Sequence, residues 1–240
     1  MFLTVPSSTS AGKQLREGDV TASVAEETRD DERRVDEHRV DEHRVDSRRV
    51  GDFRRRLLHG LAASIDERGY RESTVADIVR HARTSKRTFY DQFSTKEECF
   101  VELLAVNNEE LVEAIRQCVD PQAKWQDQVR QALVSYVESI DAKPAITLSW
   151  IRELPALGDG ARPVLRRSFG RLTTMLVDLT SNPGFAAAGI TPVSEAVAVI
   201  LVGGLRELTA QTVEDGKPIA AIIDPALAVS LAILKSGRSL

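Results

Sequence analysis

A short stretch of the chain, from Arg83 to Lys96, combines side chains that suit contact with a DNA duplex. It contains R-T-S-K-R-T-F-Y-D-Q-F-S-T-K, with four basic residues and one acidic residue. Arginine can bind a guanine edge through two hydrogen bonds, while lysine, hydroxyl and phenol groups donate to phosphate oxygens. These residue types therefore predict contact with double-stranded DNA.

Helical spacing indicates which of these side chains face a partner. Phe89 and Phe93 are four residues apart, so both lie on one buried face of a short helix. The residues expected on its outer face are Lys86, Arg87, Tyr90 and Asp91, with Thr88 near the boundary. Thr74, at the start of the preceding helix, adds a hydroxyl beside a helix N-terminus, and Lys96 adds another candidate phosphate contact.

The elements that position these residues follow from apolar spacing and from capping residues. Apolar residues at i and i+4 predict a helix from residue 51 that ends at Gly69. Ser73 or Thr74 caps a short second helix, and Ser85 caps a third. A T-x-x-E capping box at Thr95 begins a long helix that reaches Val119. Two short helices joined by a tight turn, behind a supporting helix, form a helix-turn-helix module.

Residues 53–100 resemble the DNA-binding domain of the TetR family of bacterial transcriptional regulators. The resemblance rests on T-V-A-D-I-V-R-H-A, on S-x-x-T-F-Y-x-x-F and on the following K-E-E-x-F. The DNA contacts that it implies are Thr74, Ser85, Lys86, Arg87, Thr88, Tyr90 and Lys96. The usual turn glycine is replaced by Arg83, which must accept a left-handed backbone at some cost and adds a candidate phosphate contact.

The rest of the chain is also predicted to be helical, which makes the fold class all-α. Helices are expected over residues 121–140, 143–153, 161–181, 191–215 and 219–236, with Pro- and Gly-rich separators. We therefore predict a charged repeat tail over residues 1–50 and a three-helix helix-turn-helix domain over 51–97. A larger effector-binding and dimerisation domain follows over residues 98–240.

The tail repeats a pentapeptide, R-V-D-E-H, at residues 34–38 and 39–43. A five-residue period turns successive valines by about 140° around a helix, so they form no continuous apolar stripe. We expect a solvated tail, disordered or transiently helical, and a DNA-touching arm remains the alternative. The spacing of His38 and His43 does not place two imidazoles on one helical face, which disfavours a metal site.

The last two predicted helices are apolar over most of their surface, so they must be covered on more than one side. A homodimeric four-helix bundle is preferred over burial within one chain, and it would bring two recognition helices to successive major grooves of a palindromic site. The residues assigned to this interface are Val197, Ile200, Leu201, Gly204, Leu205, Leu208, Leu227, Leu231 and Leu234.

Aromatic and apolar residues of the central helices either form packed core or line a cavity for a small effector. The residues assigned to such a pocket are Trp150, Arg152, Glu153, Phe169, Leu172, Met175 and Leu176. A lipophilic or weakly anionic ligand suits this set. The sequence thus predicts a ligand-responsive regulator, in the first place a repressor that its effector releases from a palindromic operator.

Other functional classes of protein fit the sequence less well than a DNA-binding regulator. The formal net charge of −4 leaves DNA binding open, because residues 51–100 carry ten basic and eight acidic residues. Cys99 and Cys118 form no C-x-x-C motif, so neither a disulfide framework nor a zinc finger is expected, and no cofactor or metal is predicted. All four histidines precede residue 98, which disfavours an enzyme; a helical interaction adaptor is the rival.

Because no signal peptide or bilayer-long apolar run is visible, we expect a cytoplasmic protein without membrane contact.

Overall fold

A computed structural model describes residues 51–236, and the repeat tail predicted over residues 1–50 lies outside the described residues. The described part is helical and contains no β-strand, which confirms the all-α class. Its helices are α1 (51–72), α2 (Val75–His81), α3 (Lys86–Gln92), α4 (Lys96–Cys118), α5 (Trp125–Ala142), α6 (Pro144–Arg152), α7 (Arg162–Leu179), α8 (Pro183–Ala187), α9 (Glu195–Glu214) and α10 (Ile223–Ser236). Two 3-10 segments, Leu154–Gly160 and Ile219–Ile222, precede α7 and α10.

The first three helices and the start of α4 pack around one apolar core. Its fully buried members include Leu57, Leu61, Ile65, Ile78, Phe89, Phe93 and Phe100. Helices α1 and α2 cross at Gly60, where an added Cβ would lie 2.5 Å from the Ile78 carbonyl oxygen. Only a residue without a side chain allows this approach.

The same core continues from the module into the body. Leu104 on α4, Ile146 on α6 and Leu154 in the following 3-10 segment belong to it. Residues from Phe53 onward accordingly form one compact unit. The predicted domain boundary at residues 97 and 98 lies in the first turn of the continuous helix α4, and it stays a prediction.

The body is a bundle in which α4 packs against α5 and α7, α9 packs against α6 and α7, and α10 packs against α5. A second core lies between these helices and includes Val112, Ile115, Val137, Ile140, Leu172, Met175 and Ile222. A smaller cluster of Trp125, Phe185, Ile190 and Leu234 closes one end.

Several boundaries differ from the predicted ones for local reasons. Helix α5 begins at Trp125 instead of residue 121, because the side chain of Gln128 donates to the carbonyl oxygens of Pro121 and Ala123 and holds that segment as a turn. Helix α9 begins after Ser194, whose hydroxyl accepts from the Val197 amide. The gap between the helices predicted over residues 161–181 and 191–215 contains the short helix α8, with Pro183 in its first turn.

The predicted dimer residues divide into two groups. Leu227 and Leu234 are already buried within their own chain, at 8% and 2% exposed, so little of their surface is left for a partner. By contrast, Val199, Ile200 and Val229 are large apolar residues exposed on α9 and α10. The interface formed by the remaining residues stays a prediction.

By length and composition, α9 and the segment Ile219–Ser236 could cross a membrane, with mean hydropathies of 1.4 and 1.8. Core helices of soluble proteins meet the same criterion. Here α9 packs along α6 and α7 and carries Arg206, Glu207 and Glu214 in its second half. Only 22% of the apolar window of α9 is buried within the described chain.

Candidate DNA-binding surface and internal cavity

Thr74 begins α2 with a reciprocal capping box. Its hydroxyl accepts from the Asp77 amide at 3.3 Å, and its own amide donates to Asp77 Oδ2 at 3.1 Å. The hydroxyl also donates to Asp77 Oδ2 at 2.6 Å. These contacts, with help from Arg68 and Arg80, keep the pKa of Asp77 below its usual range. Thr74 is exposed at a helix N-terminus, as predicted, and its phosphate contact stays a prediction.

The turn between α2 and α3 contains the left-handed residue that the sequence predicts. Arg83 has φ 50°, and it is the one non-glycine residue of the described chain with a positive φ. Ser85 then caps α3, because its hydroxyl accepts from the Thr88 amide at 3.1 Å and lies 3.0 Å from the Thr88 hydroxyl. The side chain of Arg83 is exposed, and Arg83 lies three residues before the first residue of α3.

Helix α3 has one buried face and one exposed face, as its spacing predicts. Phe89 and Phe93 are buried in the module core, whereas Lys86, Arg87 and Tyr90 are exposed and Thr88 is half-buried. The ring of Tyr90 is 59% exposed and packs edge-on against Phe89, with ring centroids 5.3 Å apart. The structure therefore places two cations and one phenol on the outer face of a firmly packed helix.

Lys96 has a different setting from the other predicted DNA contacts. Its Nζ donates to the carbonyl oxygens of Tyr70 and Ser73 at 3.1 and 2.9 Å and lies 4.3 Å from the centre of the Tyr70 ring. Tyr70 lies in the last turn of α1, which continues to residue 72 past the predicted end at Gly69, and Ser73 follows the helix. Lys96 thus ties α4 to the link between α1 and α2, and its phosphate contact stays a prediction.

Arg54 is a positioning residue that the sequence analysis missed. Its guanidinium donates to both carboxylate oxygens of Glu102 and, at 2.7 Å, to the Gln92 carbonyl oxygen, and it lies 4.3 Å above the Phe93 ring. The hydrogen bonds with Glu102 raise the pKa of Arg54. Partners 38 and 48 residues away leave no local signal in the sequence. Through them Arg54 holds the end of α3 against α1 and α4.

A cavity of about 610 Å³ lies between the helices of the body, within the size range of small-molecule sites, and it is partly open to solvent beside the exposed Ile200 and Val229. Helices α4, α5, α6, α7, α9 and α10 line it. Of the predicted pocket residues, Trp150, Leu172, Met175 and Leu176 line this cavity. Residues first assigned to the dimer interface also line it, namely Ile200, Leu201, Gly204, Leu205, Leu208 and Leu234.

Three predicted pocket residues lie elsewhere. Arg152 is two residues beyond Trp150 and so about 200° around α6 from the cavity-facing side chain; it pairs with Glu207 and Glu214 of α9. The carboxylate of Glu153 accepts from Arg71 at the end of α1. Phe169 lies about one turn before Leu172 on α7, outside the cavity lining.

Comparison with known proteins identifies the module. Residues 57–103 match the family model for bacterial regulatory proteins of the tetR family. A comparison with curated protein sequences gives no significant match.

Solved structures share the fold over most of the chain. The transcriptional regulator FadR from Bacillus subtilis, in complex with stearoyl-CoA, is 16% identical, with a TM-score of 0.62, and the match covers 72% of this chain and 95% of FadR. The fatty acid degradation regulator FadR from Bacillus halodurans is also 16% identical, with a TM-score of 0.65 and coverages of 74% and 93%. A TetR-like transcriptional regulator from Rhodococcus sp. RHA1 is 21% identical, with a TM-score of 0.55 and coverages of 75% and 96%.

Residues 57–103 therefore match the tetR family model in the part of the chain where the sequence predicts that resemblance, and the chain shares the fold of solved transcriptional regulators over about three quarters of its length.

Proposed function

We propose that this protein is a cytoplasmic, non-enzymatic repressor that binds a palindromic DNA operator as a homodimer and leaves it when a small lipophilic effector enters the body. The observation that carries this proposal is the outer face of α3, where Lys86, Arg87 and Tyr90 are exposed together within a matched tetR-family module. The effector-binding part rests on the apolar cavity in the same compact unit.

The DNA contacts follow from the chemistry of this face. The planar guanidinium of Arg87 can donate two hydrogen bonds to the edge of one guanine, and the ammonium of Lys86 adds a positive charge that attracts phosphate. Tyr90 has a phenol that donates to a phosphate oxygen. Arg83, on the turn, and the helix N-termini capped by Thr74 and Ser85 complete the surface.

Exposed apolar residues on α9 and α10 support the homodimer. Ile200 is 66% exposed, Val229 is 55% exposed and Val199 is 42% exposed. A monomeric soluble protein rarely leaves large apolar side chains clustered in water, so a second copy of the chain is the proposed cover. The proposed interface keeps Val197, Ile200, Leu201, Gly204, Leu205, Leu208 and Leu231.

Helix α4 offers a route from the cavity to the DNA-binding surface. Leu111 and Ile115 of this helix line the cavity, while Phe100, in its first half, is buried in the module core. An effector that prefers one position of α4 would shift the population towards that position and change the spacing of the two recognition helices. The proposed result is lower operator affinity.

DNA binding by the full chain tests the proposal. In an electrophoretic mobility shift with the DNA upstream of its own gene, we expect Arg87→Ala to weaken binding by about 1–3 kcal/mol and to relax base preference. Arg130→Ala, which removes an exposed arginine from α5, is the matched control and leaves binding unchanged. Binding that is unaffected by both Arg87→Ala and Tyr90→Ala would overturn the proposal and favour a helical adaptor that keeps the module as a scaffold.

A further inference from the structure

Asp91 lies at the centre of the outer face of α3, beside the arginine that is proposed to bind guanine. Successive residues of an α-helix are about 100° apart, so Asp91 and Arg87 each lie about 160° around the axis from the buried Phe89 and about 40° from each other. Both side chains are exposed. A carboxylate therefore occupies the middle of a face whose other charged residues are cations.

The carboxylate of Asp91 has no partner within the described part of the chain. It forms no hydrogen bond and no ion pair with any residue over 51–236, and Arg87, one turn earlier on α3, does not pair with it either. Asp91 therefore neither caps a helix nor orients the guanidinium of Arg87 in the free protein.

The position of Asp91 is also unfavourable for an acidic residue. It lies in the last turn of α3, at the negative end of the helix dipole, and this turn contains no basic residue. Arg54 of α1 donates to the Gln92 carbonyl oxygen, but its guanidinium is bound by Glu102. Aspartate is in addition a poor helix former. A residue that breaks these local rules without a compensating contact in its own chain points to a functional role.

The chemistry of the major groove limits what this carboxylate can bind. Phosphate oxygens repel it, and the groove edges of guanine and thymine present acceptors that it cannot bind. The two amino groups in the groove belong to adenine and cytosine. Adenine places its N7 acceptor beside the amino group, whereas cytosine presents the amino group as its hydrogen-bonding group. Cytosine is therefore the base that a carboxylate at the centre of α3 fits best.

We propose that Asp91 is a specificity-determining residue of the DNA-binding surface and that its carboxylate accepts a hydrogen bond from the exocyclic amine of a cytosine. The inference rests on the proposed function, because it requires α3 in the major groove of an operator. Arg87 and Asp91 are one helical turn, about 5.4 Å, apart, so the cytosine lies near the guanine that Arg87 binds. Because the same carboxylate repels phosphate, Asp91 lowers affinity for unrelated DNA and raises discrimination.

Selection of binding sites by the full chain from a pool of random DNA duplexes tests this. We expect the selected site to contain a cytosine at one fixed position of each half-site. Replacing this cytosine by thymine should weaken binding of the unmodified protein by about 5- to 150-fold, as one mismatched base pair does. The same replacement should change binding of Asp91→Ala by less than about twofold, because alanine cannot accept from the amine.

Asp91→Asn provides a readout that a purely structural role would not change. An asparagine amide can donate to N7 of adenine and accept from its amino group, so selection with this variant should change the preferred base from cytosine to adenine. Asp66→Asn, which removes the same charge from an exposed position of α1, is the matched control and keeps cytosine. Because Asp91 is exposed and unpaired within residues 51–236, we expect neither substitution at this position to lower Tm.

A selected site without a fixed cytosine, or a thymine penalty that Asp91→Ala retains, would overturn the inference. Equal loss of preference at every position of the site would overturn it as well, because Asp91 would then only support the helix. The selection with the unmodified protein stands even if a variant fails to fold. A protein that selects a site and depends on Arg87, but is indifferent to Asp91, contradicts this inference alone. A protein that selects no site contradicts the regulator itself.

Discussion

Nε of Arg71 donates to both carboxylate oxygens of Glu153, at 3.1 and 2.9 Å, across 82 residues of sequence. The pair joins the end of α1 to the end of α6. The residue before Glu153, Arg152, holds Glu207 and Glu214 of α9, and Trp150 of the same helix lines the cavity. The last turn of α6 therefore contacts the DNA-binding module, the proposed dimer helix and the proposed effector site.

The Arg71–Glu153 pair should contribute little to the free energy of unfolding. The Arg71 side chain is 75% exposed, and exposed ion pairs are worth about 0.2–1 kcal/mol. A double-mutant cycle of Arg71→Ala and Glu153→Ala, followed by urea unfolding, should give a coupling in that range that fades at about 1 M salt. A salt-independent coupling of about 2 kcal/mol or more would show that the pair is a structural anchor instead.

Replacement of Arg83 by glycine should stabilise the protein while it weakens DNA binding. Glycine removes the cost of a left-handed backbone, about 1 kcal/mol, but it also removes one cation from the proposed DNA surface. We expect a rise of about 2–4 °C in Tm and a loss of about one unit in the salt dependence of DNA affinity.

Arg83→Ala separates these two effects. Alanine keeps the backbone cost and loses the charge, so we expect weaker DNA binding without a gain in Tm. A gain in Tm from alanine as large as that from glycine would mean that the arginine side chain, and not its backbone conformation, is unfavourable in the native state.

The module could be predicted from the sequence because the interactions that form it are local. Thr74, Ser85 and Thr95 each cap a helix by accepting from an amide three residues later, and the buried Phe89 and Phe93 fix the outer face of α3. Capping and i, i+4 spacing depend only on near neighbours in the chain. The left-handed backbone of Arg83 could also be predicted, because this residue occupies the turn position where the family pattern usually has glycine.

The body was less predictable because its polar contacts cross long sequence distances. Arg152 was assigned to a pocket, but its carboxylate partners on α9 turn it away from the cavity. Leu227 and Leu234 look like interface residues on a helix that is apolar on all sides, and only the position of α5 shows that they are buried in their own chain.

Gly60 and Gly170 should respond in opposite ways to the same substitution. A Cβ at Gly60 would lie 2.5 Å from the Ile78 carbonyl oxygen, so Gly60→Ala must push α1 and α2 apart and cost about 1–3 kcal/mol. A Cβ at Gly170 meets nothing within 4 Å, so Gly170→Ala on α7 should stabilise by about 1 kcal/mol. Urea unfolding of both variants checks this. Equal effects would contradict the close crossing of α1 and α2.

The free energy of unfolding should fall at alkaline pH as the buried Tyr136 loses its proton. Its hydroxyl donates to the Thr209 hydroxyl at 2.8 Å, since Thr209 itself donates to the Leu205 carbonyl oxygen. Burial raises the pKa of Tyr136 from 10.0 to about 12. The unfolded chain therefore loses this proton first, and the stability that Tyr136 contributes is present below pH 10 and lost as the pH rises to about 12.

Tyr136→Phe isolates this contribution. At pH 8 the loss of the hydrogen bond should cost about 1 kcal/mol. Between pH 10 and 12 the stability of the unmodified protein should fall by about 2–3 kcal/mol relative to the variant, because a shift of one pKa unit corresponds to about 1.4 kcal/mol. Burial also raises the pKa values of Cys99 and Tyr70, but both proteins share that loss, so the difference between the two urea-unfolding series reports on Tyr136. Parallel pH profiles would mean that the Tyr136 hydroxyl is accessible to solvent.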